Sequence, residues 1–268
     1  MKNKITLEEI LDPVPVQTFF KEYWGKKHLI LRRNKFKNLF TFDNLSDYIN
    51  RYPFVKSLQV IDYDDKDGKF CLDKSRSGKD KTEILSKNKI ANLWSKGKSF
   101  VIPFAEYENK DLVDMCFEFE RYFKQGQVNV YASPSAGSKS YPAHGDATEN
   151  FLFHTKGKVK WTIYKESIPD KPETILEEFT LDEGDMLYIP QYQYHKVDAI
   201  GPRILCSIHF SNKDKQSLEA FKISSLKDNK RAEWFDFNPT KTIKKIIKSV
   251  RFPINSQKWK TPYFKNGI

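Results

Sequence analysis

The feature that most constrains the fold is a series of short segments between residues 128 and 210 in which apolar and polar residues alternate. Turn residues separate these segments, for example at 134–137, at Lys156-Gly157 and at 182–184. A period of two places neighbouring side chains on opposite faces of a strand. Several short strands at this spacing are typical of a barrel or a double-sheet jelly roll. The sequence therefore predicts a mainly β core in this part of the chain.

Three residues of this core form a pattern that is typical of a metal site. Only Gly145 separates His144 from Asp146, and His195 follows near the end of the strand series, where hairpin strands can return it to the first pair. Two histidines and one carboxylate occupy one face of an octahedral ion and leave three positions open, which is the ligand set of non-haem Fe(II) oxygenases. The alternative is that these are three unrelated polar residues in a β-rich core.

Composition indicates a globular protein. The chain has 268 residues, of which 30% are charged and 15% are aromatic, so it is long enough for a large domain with an aromatic core. It contains no run of the ~20 apolar residues that span a bilayer, and its first residues do not resemble a secretory signal. Three widely spaced cysteines favour a reducing compartment. We expect a cytoplasmic protein without a membrane partner.

The net charge of +11 has two interpretations. Lysine is dispersed through the chain, which favours a solvated lysine-rich surface. The alternative is an anionic partner, such as RNA, a ribosome or an acidic peptide.

The pattern of residues divides the chain into three parts. We expect a mixed α/β lead-in at 1–126, the β core at 127–212 and a helical segment at 213–268. In the last part, apolar residues recur at helical intervals within 217–227 and 241–248. This spacing favours helices that brace the core or form a homodimer over a basic nucleic-acid arm.

Three collinear motifs resemble a known family. The segment 19–31 contains Tyr23-Trp24 and Lys26 before a strand and is similar to the YW-x-K-x-P lead-in of ribosomal oxygenases, although His28 stands where that pattern has proline. The segment 181–190 is similar to the L-x-x-GD-x-LYIP stretch before the distal iron ligand. The segment 142–151 resembles the PAH-x-D…NF motif of the asparaginyl hydroxylase that inhibits hypoxia-inducible factor. Over roughly residues 5–212, the chain resembles the JmjC/cupin-like 2-oxoglutarate oxygenases.

The resemblance implies a double-stranded β-helix in which His144, Asp146 and His195 hold Fe(II), with 2-oxoglutarate and O2 as co-substrates. It also implies hydroxylation of an amino-acid side chain in a peptide or protein. Three alternatives remain: demethylation, the same chemistry on a small molecule or a tRNA base, and a cupin that binds metal without catalysis.

The chain departs from the family where the far carboxylate of 2-oxoglutarate binds. The family places Lys or Arg two residues after the glycine that opens a strand, whereas Val159 follows Gly157 at this distance. Lys160 has the opposite parity and should face outward. We expect Arg203, at the start of the final strand, to bind this carboxylate with its planar fork. The alternative is that Lys160 or Tyr141 does so.

Four further residues are weaker candidates for contact with the co-substrate. Asn150 matches a contact position in the asparaginyl hydroxylase, and Tyr141 stands where a hydroxyl donor is often found. Both could instead be core residues. Ser207 and His209 share the face of Arg203 and should point into the barrel.

Other polar and aromatic residues near the motifs carry less weight. His154 and Trp161 fit packed core positions better than ligand positions. Tyr192 and Tyr194 flank the approach to the distal histidine, where they could shape a substrate groove or cap the barrel.

Overall fold

A computed structural model describes residues 5–32, 35–51, 58–62, 69–74, 83–123, 126–165 and 174–211. The helices expected within 213–268 lie outside these residues. None of the described helices is long and apolar enough to cross a membrane.

The described elements are mostly short strands, with the helices grouped before the β core. The helices are α1 (Leu7–Leu11), α2 (Val16–Thr18), α3 (Phe42–Arg51), α4 (Lys87–Ser95) and α5 (Lys110–Glu120), with a π-helical turn at Phe19–Tyr23 and a 3-10 turn at Ala105–Tyr107. The strands are β1 (Leu29–Leu31), β2 (Gln59–Val60), β3 (Leu72–Lys74), β4 (Glu83–Leu85), β5 (Phe100–Ile102), β6 (Gly126–Ser133), β7 (Thr148–Lys156), β8 (Val159–Tyr164), β9 (Ile175–Leu181), β10 (Met186–Ile189), β11 (His195–Ala199) and β12 (Arg203–Ser211).

Helix starts follow local capping chemistry. The side chain of Thr6 accepts a hydrogen bond from the Glu9 amide at the start of α1. Asn109 Oδ1 accepts one from the Leu112 amide, 2.9 Å away, at the start of α5. Each cap satisfies an amide that has no partner within its own helix.

Two antiparallel sheets build the core. The larger has the order β1-β10-β7-β12-β6-β5-β2 and the smaller has the order β11-β8-β9, while β3 and β4 form a separate pair. Strands from the expected lead-in thus belong to the same sheet as the β core, and β5 pairs directly with β6. The domain boundary at residue 126 stays a prediction.

The two faces of the larger sheet have different partners. Its inner face packs on the smaller sheet, with Leu152, Leu187 and Leu205 against Val159 and Trp161. This arrangement confirms the mainly β, jelly-roll interpretation of the alternating pattern.

The helices cover the outer face of the larger sheet with aromatic side chains. The Phe19 ring lies 4.9 Å from the Tyr188 ring, and the Phe119 ring lies 4.5 Å from the Phe151 ring. These contacts pack the helices against the sheet behind the site.

Candidate metal centre

Backbone pairing brings the two histidines of the sequence motif together. His144, in the loop between β6 and β7, forms an isolated bridge with His195 at the start of β11. The bridge has N–O distances of 3.0 and 2.8 Å. The Tyr192 amide also donates to the Asp146 carbonyl at 2.7 Å, so the turn before β11 holds the loop at its other end.

The three side chains converge as one set of ligand atoms. One nitrogen or oxygen atom from each of His144, Asp146 and His195 lies within 4.8 Å of the others. His144 Nε2 is 3.6 Å from Asp146 Oδ1, and His195 Nε2 is 3.7 Å from Asp146 Oδ2. Such separations suit three atoms that each lie about 2 Å from one ion.

Hydrogen bonds determine which ring nitrogens are available. His144 Nδ1 lies 2.7 Å from the Pro142 carbonyl oxygen, and His195 Nδ1 lies 2.9 Å from the Gln193 carbonyl oxygen. A carbonyl only accepts, so each Nδ1 must carry a proton and each neutral ring presents the lone pair of Nε2. Burial lowers the pKa of His195, against the opposing effect of Asp146, and thereby favours its metal-binding neutral form.

Asn150 lies beside the carboxylate. Its Nδ2 donates to Asp146 Oδ2 at 2.9 Å, and the side chain is buried. Asn150 faces inward as its parity predicts, but the structure places it on Asp146 and not on the wall of the cavity. It therefore orients a candidate ligand, and the co-substrate contact expected from the sequence stays a prediction.

A cavity between the two sheets opens beside the three candidate ligands. Its walls combine apolar side chains, among them Leu152, Trp161, Val197 and Leu205, with a smaller polar group. The polar group consists of Tyr131, Ser140, Tyr141, Arg203 and Ser207.

Arg203 is the buried cation of this cavity, with 2% of its surface exposed. Its Nε donates to Ser133 Oγ at 3.1 Å and its Nη2 to Ser140 Oγ at 3.3 Å. Its Nη1 is buried and has no hydrogen-bond partner. Burial lowers the pKa of Arg203 to about 10, so the guanidinium remains charged at neutral pH.

Lys160 lies on the opposite side of β8 from the cavity. Its Nζ forms a 2.8 Å ion pair with Glu178 on β9, while Val159 is fully buried in the apolar interior. The outward orientation expected from strand parity is therefore confirmed.

The remaining predicted contacts divide into two groups. Tyr141 and Ser207 line the cavity, and Tyr141 is 41% exposed, so it lies towards the mouth. His209 is half-buried but does not line the cavity. His154 is a core residue as expected, because its Nε2 accepts the Trp161 indole N–H at 3.0 Å.

Sequence reasoning missed the three polar residues around the guanidinium. Ser133 pairs in register with Arg203 across β6 and β12, and Tyr131 lies two residues before it on the same face. Ser140 lies in the loop that leads to His144. The alternation within β6 could have identified Tyr131 and Ser133 as inward-facing residues, but the pairing of β6 with β12 could not be read from the sequence.

The fold and the site can be compared with those of known proteins. Residues 99–218 match the JmjC domain, and a two-sheet core with a His-Asp-His group agrees with this match. This part of the chain is similar to the JmjC domain.

Known proteins with similar sequences include a histidyl-hydroxylase and a ribosomal oxygenase. This chain is 27% identical over 225 residues to the Dictyostelium discoideum bifunctional lysine-specific demethylase and histidyl-hydroxylase NO66. The alignment covers 76% of this chain and 42% of the relative. It is 28% identical over 218 residues to Ribosomal oxygenase 2 of Mus musculus. That alignment covers 72% of this chain and 43% of the relative. The chain thus spans less than half the length of these relatives.

A solved structure shares the fold. It is that of YcfD, a ribosomal oxygenase from Escherichia coli, in complex with cobalt and 2-oxoglutarate. The TM-score is 0.55 at 16% identity, with 78% of this chain and 54% of that chain covered.

Proposed function

We propose that this chain is an Fe(II)- and 2-oxoglutarate-dependent dioxygenase that hydroxylates an amino-acid side chain in a ribosomal protein. The observation that carries the proposal is the convergence of two Nε2 lone pairs and one carboxylate at a cavity. In this proposal His144, Asp146 and His195 hold the iron. Bound Fe(II), with 2-oxoglutarate and O2, would supply the oxidising power to place one oxygen atom on an unactivated C–H bond.

The residues present suit such an ion. Two imidazoles and one carboxylate are the donor types that Fe(II) accepts, and the three leave one side of the ion open for a co-substrate. The Pro142 and Gln193 carbonyls hold the two rings in the required tautomer. Asn150 holds the carboxylate, so the protein prepares the ligand geometry before metal binds.

The proposed substrate class rests on the relatives and on the mouth of the site. The mouse relative and the solved neighbour are both named ribosomal oxygenases. Tyr141 and Tyr192 lie near the candidate ligands and are 41% and 65% exposed, so their rings are available to a polypeptide. The net charge of +11 suits an anionic ribosomal environment.

A second activity, lysine demethylation, is favoured by the name of the Dictyostelium relative, which joins a demethylase to a histidyl-hydroxylase. The same oxidising step on an N-methyl carbon would release the methyl group as formaldehyde. The two activities therefore differ in the mass of their products.

The test is mass spectrometry of ribosomal proteins incubated with the Fe(II)-loaded chain, 2-oxoglutarate and isotopically labelled O2. We expect one labelled oxygen on a single residue type with the parent and with Lys160→Ala, whose side chain lies outside the cavity. His195→Ala should give no labelled product. Loss of a methyl group with formaldehyde release would support demethylation instead, and 2-oxoglutarate consumption without either product would contradict a ribosomal substrate.

A further inference from the structure

We propose that Arg203 binds the carboxylate of 2-oxoglutarate that is remote from the metal, through its Nη1, and that a serine clamp fixes the guanidinium for this task. The clamp consists of Ser133 and Ser140. The inference rests on the proposed function, because it names the residue that would select this co-substrate. It also assigns the contact to β12 and not to β8.

The guanidinium of Arg203 carries a charge that its neighbours do not satisfy. Arg203 is buried, and its Nη1 has no hydrogen-bond partner. Among the described residues, no carboxylate forms an ion pair with it. A buried cation whose N–H groups lack acceptors is costly, because the lost hydration is not replaced. An anion that enters the cavity would supply the missing acceptor.

The serine clamp fixes the orientation of the guanidinium. Ser133 Oγ accepts a hydrogen bond from Arg203 Nε, and Ser140 Oγ accepts one from Arg203 Nη2. Two of the three guanidinium nitrogens are therefore hydrogen-bonded. Ser133 Oγ also lies 2.9 Å from Ser99 Oγ, which connects the clamp to the residue before β5. With Nε and Nη2 hydrogen-bonded, the guanidinium presents Nη1 in one orientation. Little side-chain entropy therefore remains to be lost when an anion binds.

The cavity wall combines charged and apolar groups that suit 2-oxoglutarate. Arg203 and the three candidate metal ligands line one cavity, and apolar side chains, including Leu152 and Leu205, lie on its walls. A ligand with a metal-chelating 2-oxo acid at one end, methylene carbons in the middle and a carboxylate at the other matches these surfaces. Tyr131 lines the same cavity, and burial raises its pKa to about 12, so its hydroxyl keeps its proton at neutral pH.

Other cations are poorly placed. Lys160 is paired with Glu178 outside the cavity, and Lys139 is paired with Asp62 at 3.2 Å. Of the described residues that line the cavity, Arg203 is the only arginine, and none is a lysine.

The experiment compares two ligands on two forms of the chain. 2-Oxovalerate has the carbon skeleton of 2-oxoglutarate but a methyl group in place of the remote carboxylate. Binding of both to the Mn(II)-loaded protein is measured by anaerobic calorimetry, which needs no turnover. We expect the parent to prefer 2-oxoglutarate by about 30-fold or more, as for a charge-assisted contact. In Arg203→Met this preference should almost vanish, while 2-oxovalerate affinity stays the same.

Lys160→Met is the matched control and should keep the preference of the parent. Unchanged 2-oxovalerate binding shows that Arg203→Met has kept its cavity. If that variant does not fold, Arg203→Lys, which cannot reach both serines at once, should reduce the preference at least several-fold.

The outcomes separate the inference from the proposed function. A preference retained in Arg203→Met or Arg203→Lys, or one lost in Lys160→Met, would overturn the inference and leave the oxygenase proposal intact. A parent chain that binds neither ligand in the presence of metal would overturn the proposed function itself.

Discussion

The chemistry of single residues explains why the histidine pair suits a metal. His144 and His195 each donate Nδ1–H to a nearby backbone carbonyl, two residues earlier in the chain. The sequence motif predicted which residues meet, because residue type and spacing carry that information. It could not predict these tautomers, or the contact of Asn150 with Asp146, because both depend on how loops fold against strands.

His154 provides a residue-scale test of the buried interior. Burial, reinforced by the positive charges of Arg203 and Arg32, lowers its pKa from the ordinary value of 6.5 to about 3. The folded chain therefore excludes a proton that the unfolded chain accepts below about pH 6.5. The contribution of neutral His154 to the free energy of unfolding is fully present above that pH. As the pH falls below it, this contribution decreases by up to about 1.4 kcal/mol per pH unit.

We expect His154→Gln, which can still accept the Trp161 N–H, to lose less stability than the parent between about pH 7 and about pH 5. The difference should be about 2 kcal/mol in the free energy of unfolding, measured with urea at each pH. Equal losses in parent and variant would show that His154 is protonated in the folded chain.

At the scale of elements, the turn between β7 and β8 is held against the start of β12. Gly157 has φ of 73°, and a Cβ at this position would lie 1.8 Å from the Pro202 carbonyl oxygen. The same hypothetical atom would lie 3.0 Å from Arg203 Cα. The missing side chain therefore lets the turn pack beside the residue that we assign to the co-substrate.

Gly157→Ala should be strongly destabilising. The positive φ alone costs about 1–2 kcal/mol, and the clash with a backbone oxygen should raise the total to roughly 2–5 kcal/mol. Gly137→Ala is the matched control, because its φ is 71° but nothing lies within 4 Å of the added atom. Urea unfolding measures both variants, and equal destabilisation would show that the packing against Pro202 is not rigid.

The helices and strands that could be predicted are those in which apolar residues recur at the helical or strand spacing. Apolar residues recur at helical intervals within 42–50 and 112–122, and the structure has α3 and α5 there. There is no such signal for β9, because that strand exposes charged residues on the outer face of the smaller sheet. The sequence also could not predict that β1 pairs with β10, since this contact joins distant parts of the chain.

At the scale of the whole molecule, the two-sheet β core holds every residue to which we assign chemistry, and the rest of the chain has no part in that assignment. The helical segment expected at 213–268 lies outside the described residues, so its role in a homodimer stays a proposal. A cytoplasmic location likewise stays a proposal. The chain spans 42% of the Dictyostelium relative, so whatever the rest of that protein does is not carried over to this chain.

The central claim is that His144, Asp146 and His195 hold the iron that drives 2-oxoglutarate turnover. The most direct measurement is succinate released from 2-oxoglutarate with added Fe(II), compared among the parent, Lys160→Ala and a variant carrying both His144→Ala and Asp146→Ala. We predict that the parent and Lys160→Ala release succinate and bind one metal ion per chain. The double variant should keep its fold but lose both properties, and full succinate release by that variant would contradict the claim.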